Sequence, residues 1–461
     1  MKQVNYLFIS LFFIFYQQLC LGVNDFKFTE KIEYSIKLYD LNKKETVFEK
    51  DTLKRFIPAS LTKLIVSAAV LDSINKKYRF KTPIYIDKEI PPNLYIIGSG
   101  DPNISRKKLN QVALTLKRKN ITKINNIIFD ETHIVEDINL NGNSAKYYYA
   151  LGGALNTNYN QYTLLIKKNN KQLIASPNSM FINIELKNVK FENKTRQPSY
   201  PKIQIQQRPF QDQVVINGTL SKGDELNKNL TLRVSRPKYY FYFEIYDVFT
   251  QNNIQVPDSF LNINTKNLKK MKVHTIVSEP IDSILIKLNQ ESENMIGSIL
   301  FKHLGKAIYN NPGTIKKGRK AINDFIYTKI SKSSDIKILD GSGLSKYSYV
   351  NSETFNKILI YLHKKHFKLT KKCLINIEGS NEYNAIKKPK HVNIYVKSGT
   401  LAQIGVNNLA GYIEDKKTKK LFSFTILTQT KEKKYNPAYK GTHTIPILNE
   451  IIKKHTNTEI N

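Results

Sequence analysis

The chain has 461 residues, of which 72 are Lys or Arg and 38 are Asp or Glu, so its formal net charge is +34. This length allows two or three domains, and the hydrophobic content of 41% excludes a disordered polyelectrolyte. The two cysteines exclude both a disulfide-based scaffold and a zinc site made of several cysteines.

Residues 1–22 have the pattern of a signal peptide. Lys2 supplies the positive start, residues 7–16 are apolar, and Cys20 and Gly22 fill the small-residue positions before a cleavage site after Gly22. The apolar stretch is shorter than the roughly 20 residues that span a bilayer, which favours cleavage over a permanent anchor. The pattern therefore predicts an exported protein of the periplasm or cell envelope.

The positive charge has two interpretations. Lys and Asn occur throughout the chain, and the sequence has no Arg-rich block or nucleic-acid motif. We therefore attribute the charge to solvated surfaces and predict no nucleic-acid partner. The alternative is a weak, salt-sensitive association with anionic polymers of the cell envelope.

The first elements after the leader are a predicted hairpin and a predicted helix. Residues 32–48 alternate between apolar and polar side chains around a turn. After Pro58, apolar residues recur at helical spacing from Leu61 to Leu71. Short alternating runs then predominate from residue 81 to residue 275.

The later elements are predicted from the same two periodicities. The region 81–275 reads as β-rich with one helix at 106–119, and the aromatic run at 239–246 is one of its predicted strands. The elements predicted after Pro280 are helices at 281–289, 295–308 and 313–332, a strand at 391–396, a hairpin of 409–413 and 421–428, and a last helix at 445–455.

These elements predict a mixed α/β, multidomain fold. Residues 23–80 and 276–461 would form one discontinuous domain. A β-rich insertion at 81–275, itself divided into two subdomains, would interrupt it.

The first of three chemical motifs is Ser-Leu-Thr-Lys at 60–63. A serine at a helix start and a lysine three residues later share one helix face, and a lysine with a lowered pKa can take the serine proton. The helix N-terminus also favours the negative charge that develops on a reacting carbonyl. Ser73 and Lys76 repeat the spacing, so the context of Ser60, with Pro58 before it and an apolar helix after it, distinguishes this copy.

The other two motifs follow the insertion. Ser-Glu-Asn at 292–294 separates two predicted helices, where a helix-capping serine is the plain alternative. Lys-Ser-Gly-Thr at 397–400 ends a predicted strand. It offers a cation and hydroxyls to a substrate carboxylate, while its backbone can pair with an extended substrate.

Together and in this order, the three motifs resemble those of serine β-lactamases and penicillin-binding proteins. Ser292 lies 232 positions after Ser60, a separation that exceeds what a compact β-lactamase needs. The sequence resembles the class C penicillin-binding proteins, the D-alanyl-D-alanine carboxypeptidase/endopeptidases of the penicillin-binding protein 4 type, which carry large extra domains there. Shorter matches to that family are Ile57–Ser60, Tyr78–Phe80, Gly100–Pro102, Asn311–Thr314, Asp340–Ser345 and Asn408–Tyr412.

This resemblance covers essentially the whole mature chain and is weakest between residues 169 and 251. It implies a transpeptidase or β-lactamase-like domain, with an antiparallel sheet flanked by helices, plus the inserted module. It also implies peptidoglycan stem peptides as substrates, β-lactam antibiotics as covalent inhibitors, and no metal or other cofactor.

The resemblance further implies a role for each motif residue. Ser60 would be the acylated nucleophile and Lys63 its general base. Ser292 and Lys397 would pass a proton to the leaving amine, and Asn294 would bind the substrate amide. The implied substrate-binding residues are Ser398 for the terminal carboxylate, Gly399, Thr400 and Lys346, with the backbone N–H groups of Ser60 and Thr400 as the oxyanion hole.

Two positions depart from the family's pattern. Ser398 stands where Thr is usual, and this change keeps the hydroxyl. Lys346 stands where Arg is usual. Lysine keeps the charge but loses the two-pronged geometry with which arginine holds a carboxylate, so the expected contact with the acidic side chain of a stem peptide is weaker.

Two alternatives would use the same scaffold. A β-lactamase would need a base positioned for fast deacylation, which the sequence does not reveal. A catalytically silent envelope-binding protein would have no need of the motif side chains, and all of them are present.

Several other polar residues are candidates for chemistry only in isolation. His363 and His366 have helical spacing without a carboxylate to complete a zinc site. His133 and Glu136 are predicted to lie on the surface, and Cys373 is predicted to serve packing.

Overall fold

The structure is a computed structural model that describes residues 32–137, 144–167, 172–176, 178–192, 202–221, 230–332, 335–378, 380, 383–430 and 443–456. The predicted signal peptide and Cys20 lie outside the described residues. Within those ranges, no helix combines the length and the hydrophobicity that a membrane span requires.

The described chain contains 17 strands and eight α-helices. The strands are β1 (Ile32–Asp40), β2 (Glu45–Lys50), β3 (Lys81–Ile86), β4 (Leu94–Ile97), β5 (Ile127–Asp130), β6 (Gln161–Lys167), β7 (Gln172–Ser176), β8 (Ile182–Glu192), β9 (Lys202–Arg208), β10 (Gln211–Ser221), β11 (Leu230–Arg233), β12 (Phe260–Asn262), β13 (Met271–Val277), β14 (Ile375–Asn376), β15 (Val392–Leu401), β16 (Val406–Asp415) and β17 (Leu421–Thr430). The helices are α1 (Thr62–Ser73), α2 (Arg106–Arg118), α3 (Pro237–Gln251), α4 (Ile281–Gln290), α5 (Asn294–Tyr309), α6 (Ile315–Phe325), α7 (Ser352–Cys373) and α8 (Thr444–His455).

A six-stranded antiparallel sheet, in the order β14-β15-β16-β17-β1-β2, joins the two ends of the chain. β1 pairs with β17 along its whole length, from Ile32 opposite Thr430 to Asp40 opposite Phe422. The hairpin predicted near the N-terminus therefore becomes part of a sheet whose other four strands come from the last hundred residues.

Helices cover both faces of this sheet. Successive side chains of a strand point to opposite faces, so each strand can pack against helices on both sides. On one face Ala410 and Tyr412 pack in the core formed with α1, α4, α5, α6 and α7. On the other face Leu409 and Ile413 pack against α8. Helix α1 is buried from Thr62 to Leu71, so it is the central helix of the first core.

The region between residues 81 and 277 has its own sheets and cores. A five-stranded sheet in the order β12-β5-β4-β3-β13 packs with α2 and α3. Two three-stranded sheets, β8-β10-β9 and β11-β6-β7, contribute side chains to a further core.

The prediction of a strand at 239–246 is wrong, because these residues belong to α3. Pro237 occupies the first turn of this helix, where its missing N–H costs nothing. Phe241 packs in the core of the five-stranded sheet, whereas Tyr240 packs in the neighbouring core. A helix buried on two sides has no single apolar stripe, so its aromatic run resembles a buried strand.

One helix differs from its predicted extent, and another was not predicted. The helix predicted at 313–332 is α6, which begins after Thr314, whose Oγ1 accepts from Lys317 N, and which ends in a π-helical turn at Ile326–Ile330. The 22-residue helix α7 was not predicted, although Asn351 caps it by accepting from Thr354 N. The other predicted elements, namely the N-terminal hairpin, α1, α2, α4, α5, β15, the β16–β17 hairpin and α8, are confirmed.

Candidate active site

Ser60 lies in a short 3-10 turn, Ala59–Leu61, that leads directly into α1. Ala59 has φ +49° and is fully buried. A residue with a Cβ rarely adopts this left-handed conformation, which is maintained only where the surroundings hold it in place. The strained backbone thus lies immediately before Ser60 and presents it at the head of the central helix.

Lys63 places a basic nitrogen within hydrogen-bond distance of Ser60. Its Nζ lies 3.0 Å from Ser60 Oγ and donates to Asn294 Oδ1 and to the carbonyl of Ser342, both at 2.6 Å. Complete burial lowers the pKa of Lys63 well below its ordinary value, and the positive charge of Lys397 lowers it further. A neutral amine at this position can take the proton of the serine hydroxyl.

The second motif lies between α4 and α5. Ser292 has φ +55°, and its Oγ accepts a 3.0 Å hydrogen bond from Lys397 Nζ. Glu293 occupies the N-cap position of α5, so the capping interpretation of Ser292 is wrong. Asn294, the first residue of α5, accepts from Lys63 and donates through Nδ2 to the carbonyl of Tyr148 at 2.9 Å.

The third motif lies on β15 and faces the Ser60 turn. Lys397 is buried, while Ser398 and Thr400 are partly exposed. A Cβ on Gly399 would lie 2.6 Å from the carbonyl oxygen of Pro58, so only glycine allows β15 to approach the turn this closely.

Asn408 on the neighbouring strand fixes the same contact. It lies opposite Gly399 in the β15–β16 register and donates through Nδ2 to the carbonyls of Ile57 (2.9 Å) and Pro58 (3.2 Å). The Ser60 turn is therefore held against the sheet by the buried amide of Asn408, which donates to the main-chain carbonyls of Ile57 and Pro58.

A loop after residue 339 forms a further wall of the site. The carboxylate of Asp340 accepts from the backbone N–H groups of Ser342, Gly343 and Ser345. Gly343 has φ +83°, and a Cβ there would lie 2.0 Å from the carbonyl oxygen of Ala59. The loop is thus shaped to present the carbonyl of Ser342 to the amine of Lys63.

Lys346 lies on the same loop but is exposed. Among the described residues, no hydrogen bond or ion pair joins it to Ser60, Lys63 or the other motif residues. The structure therefore joins Ser60, Lys63 and Asn294 in one hydrogen-bonded set and Ser292 with Lys397 in a second. The charge of Lys397 acts on Lys63, so the two sets are close, whereas Lys346 lies apart from both.

Residues of the predicted insertion reach the second motif. Gln161 Nε2 donates to both carboxylate oxygens of Glu293 at 3.0 Å, and the carbonyl of Tyr148 accepts from Asn294. Burial raises the pKa of Glu293, while the hydrogen bonds from Gln161 oppose the rise. The sequence did not reveal Gln161 and Tyr148 as part of the site, because neither lies in a motif. Each is more than 130 positions away from the motif residue that it contacts.

The remaining polar residues that the sequence suggested one at a time are buried or partly buried. Cys373 is buried in the main core, which confirms its packing role. His133 and Glu136 are partly buried rather than on the surface, and burial raises the pKa of Glu136 to about 7. His363 and His366 are partly exposed on α7. No group of three or more His, Cys, Asp or Glu in the described part of the chain is arranged to hold a metal ion.

An antiparallel sheet between helices, with a serine beside a buried lysine and two further motifs around them, defines an acyl-serine hydrolase of the penicillin-binding class. The chain belongs to the D-Ala-D-Ala carboxypeptidase 3 (S13) family, whose sequence model matches residues 27–440. It is therefore a hydrolase of the serine D-Ala-D-Ala carboxypeptidase type, and the resemblance, fold class and enzyme class predicted from the sequence are confirmed.

Known proteins similar to this chain cover most of its length. It is 21% identical over 405 residues to the D-alanyl-D-alanine carboxypeptidase DacB of Haemophilus influenzae. The aligned region covers 83% of this chain and 82% of that protein. The crystal structure of penicillin-binding protein 4 (dacB) from H. influenzae matches with a TM-score of 0.75 and 19% identity, over 93% of this chain and 97% of the other.

A more distant structural relative is Bd3459, a predatory peptidoglycan endopeptidase from Bdellovibrio bacteriovorus. It matches with a TM-score of 0.54 and 17% identity, over 92% of this chain and 93% of the other. The H. influenzae protein has also been solved with a β-lactam, and Bd3459 has been solved acylated by penicillin G.

Proposed function

We propose that this enzyme cleaves bonds that follow a D-alanine in peptidoglycan stem peptides, through an acyl group carried on Ser60. The observation that carries the proposal is the buried amine of Lys63, 3.0 Å from Ser60 Oγ and with a lowered pKa. Membership of the S13 family supports the substrate class.

The first half of the reaction acylates Ser60. Lys63 takes the hydroxyl proton as Oγ bonds to the substrate carbonyl carbon, and the N–H groups of Ser60 and Thr400 receive the negative oxygen. The carbon–nitrogen bond then breaks. Ser292, hydrogen-bonded to Lys397, donates its hydroxyl proton to the leaving amine and takes up the proton held by Lys63, so Lys63 is neutral again before the second half.

The second half releases the shortened peptide. Water adds to the acyl carbon and loses a proton to Lys63, the bond to Ser60 Oγ breaks, and that proton returns to Oγ. During both halves Asn294 orients the substrate amide, while Ser398 binds the terminal carboxylate beside Gly399 and Thr400. The exposed Lys346 meets the acidic side chain of the stem peptide as a point charge.

The same chemistry makes β-lactams covalent inhibitors, because their strained amide occupies the position of the scissile bond. The β-lactam complexes of the two relatives support this part of the proposal. We place the reaction outside the cytoplasmic membrane, where peptidoglycan lies, after removal of residues 1–22. N-terminal sequencing of the secreted chain tests the cleavage site.

The division into a discontinuous domain (23–80 and 276–461) and an insertion (81–275) is part of the proposal. The six-stranded sheet draws strands only from the former, and the five-stranded sheet draws its strands from residues 81–277. Limited proteolysis should therefore cut near residues 81 and 275 before it cuts within either core.

Labelling with a fluorescent penicillin tests the nucleophile. The parent chain should give a covalent band on a denaturing gel, and Ser60→Ala should give none. Ser73→Ala is the matched control, because Ser73 has the same spacing to a lysine but is exposed at the end of α1. A band that survives in a folded Ser60→Ala variant, or is lost in Ser73→Ala, would refute the assignment.

Release of D-alanine from a muropeptide ending in D-Ala-D-Ala tests the substrate. The parent should release D-alanine and Ser60→Ala should not. Rapid turnover of a chromogenic cephalosporin would instead identify a β-lactamase, and acylation without any change in muropeptides would identify a binding protein.

A further inference from the structure

A basic cavity of about 550 Å³ opens where the chain leaves α1 and enters the insertion. Tyr78 and Ser99 are among the residues that line it. The lining residues that can carry positive charge are Lys77, Arg79, Lys81, His133 and Lys306. Among the described residues that line this basic cavity, none has a carboxylate.

The basic cavity is separate from the site of acylation. Lys306 and Asn294 both lie on α5, 12 residues apart. At 1.5 Å per residue they are roughly 18 Å apart along the helix axis. A ligand in the basic cavity would therefore leave Ser60 accessible to its substrate.

Two basic side chains that line the cavity, Lys306 and His133, lie close together. Lys306 Nζ lies 3.1 Å from His133 Nδ1. Burial lowers the pKa of both groups, and the charge of Lys306 lowers the pKa of His133 further. The ammonium can donate to Nδ1 only while His133 is neutral, so protonation of His133 sets two positive charges side by side.

His303 lies behind this pair. It is 4% exposed, packs against the rings of Tyr78 and Phe80, and its Nδ1 has no hydrogen-bond partner within the described ranges. Burial lowers its pKa to about 3, and the neighbouring Lys306 and His133 act in the same direction. Burial and the nearby Lys306 therefore disfavour protonation of both imidazoles.

We infer that the basic cavity binds a phosphate group, either as a free anion or as a phosphodiester of an anionic envelope polymer. A phosphate offers several acceptor oxygens and can meet Lys, Arg and hydroxyl donors together. Arg79 Nη1 donates to the carbonyl of Ser278 at 2.7 Å, which holds the guanidinium at the cavity. The volume is in the usual range of ligand sites and larger than one phosphate ion, so it has room for the adjoining part of a polymer.

Binding of a phosphodiester is linked to protonation of His133. The groups that act on this imidazole are Lys306 and His303 from α5 and the carboxylate of Asp130 from β5, which partly offsets them. A bound anion favours the imidazolium, so binding takes up a proton and tightens as the pH falls from about 8 to about 5.5. A phosphodiester stays singly charged over this range, so the ligand itself contributes no titration.

Calorimetry on the full mature chain tests the site with two probes, inorganic phosphate and a glycerol-phosphate oligomer. The double variant Lys77→Glu/Lys81→Glu should weaken binding about tenfold or more, since it replaces two cations of the lining by anions. Lys416→Glu/Lys417→Glu changes the net charge equally in the exposed β16–β17 turn and should bind like the parent. Penicillin acylation of all three chains controls for folding.

His133→Gln tests the pH linkage. The oligomer should bind the parent more tightly at low pH and should bind His133→Gln with little pH dependence. If inorganic phosphate binds saturably, the free anion is a sufficient ligand. If only the oligomer binds, the ligand is the polymer. Failure of both probes to bind a folded parent, or equal weakening by the two double variants, would overturn the inference.

Discussion

The amine of Lys63 donates to the side-chain oxygen of Asn294 across a distance of 2.6 Å. Asn294 also donates to the carbonyl of Tyr148, so its amide is fixed in one orientation and its oxygen must face the lysine. The contact ties α1, which follows the Ser60 turn, to α5, which begins at the last residue of the second motif.

The pH dependence of acylation should reveal the pKa of Lys63. The neutral amine is the base, so acylation by a neutral β-lactam should slow as the pH falls through the pKa of Lys63. Burial and the charge of Lys397 both lower that pKa. Lys397→Met should therefore move the acidic limb of the stopped-flow pH profile to higher pH, in addition to slowing acylation about 100-fold through loss of the Ser292 contact. An unmoved limb would show that Lys63 is not the titrating base.

Gln161→Ala should loosen the second motif without unfolding the protein. The substitution removes both hydrogen bonds to the carboxylate of Glu293 and leaves that buried group without them. Because Glu293 lies between Ser292 and Asn294, acylation should slow about 10- to 100-fold. Gln111→Ala, on the exposed face of α2, is the matched control and should acylate like the parent. Equal rates in both variants would argue against a positioning role for Gln161.

Gly343→Ala should damage both stability and acylation. A Cβ at this position would lie 2.0 Å from the carbonyl of Ala59, and φ is +83°. The clash and the left-handed backbone together should lower the free energy of unfolding by about 2–4 kcal/mol in urea denaturation. Ser342→Ala leaves the carbonyl that accepts from Lys63 and should lose less of both properties. A fully stable, fully active Gly343→Ala would contradict the packing described for this loop.

The thiol of Cys373 should report global unfolding. Burial raises its pKa to about 12, so almost none of it is thiolate in the folded protein. The mature chain should react slowly with a thiol reagent in buffer and rapidly in denaturant, with a midpoint that coincides with loss of the secondary-structure signal. Rapid labelling of the folded chain would place this cysteine outside the core.

The candidate site was predictable to the extent that its chemistry is local. Ser60 and Lys63 lie one helical turn apart, and the Ser-Glu-Asn and Lys-Ser-Gly motifs are recognisable in three letters each. The contacts among them join residues 105 to 231 positions apart, and only their common resemblance to one family suggested that they meet. The carbonyl of Ser342 and the amide of Gln161 could not be predicted, because any residue has a carbonyl and the chain contains many glutamines.

The fold was predictable where the apolar side chains of an element recur at one clear period. Helices α2 and α4 and strand β15 show clear periodicity and are confirmed. Helix α3 was mistaken for a strand because it contacts two cores, and its aromatic residues leave no polar face to mark the period.

The pairing of β1 with β17 sets the order in which a newly made chain can become active. Ile32 and Thr430 are neighbours in the sheet although 398 positions separate them. A chain that emerges from its N-terminus presents Ser60 and Lys63 early, yet the strand that carries the third motif and the strand that completes the sheet emerge last. Acylation can therefore begin only when the final strands have joined the first.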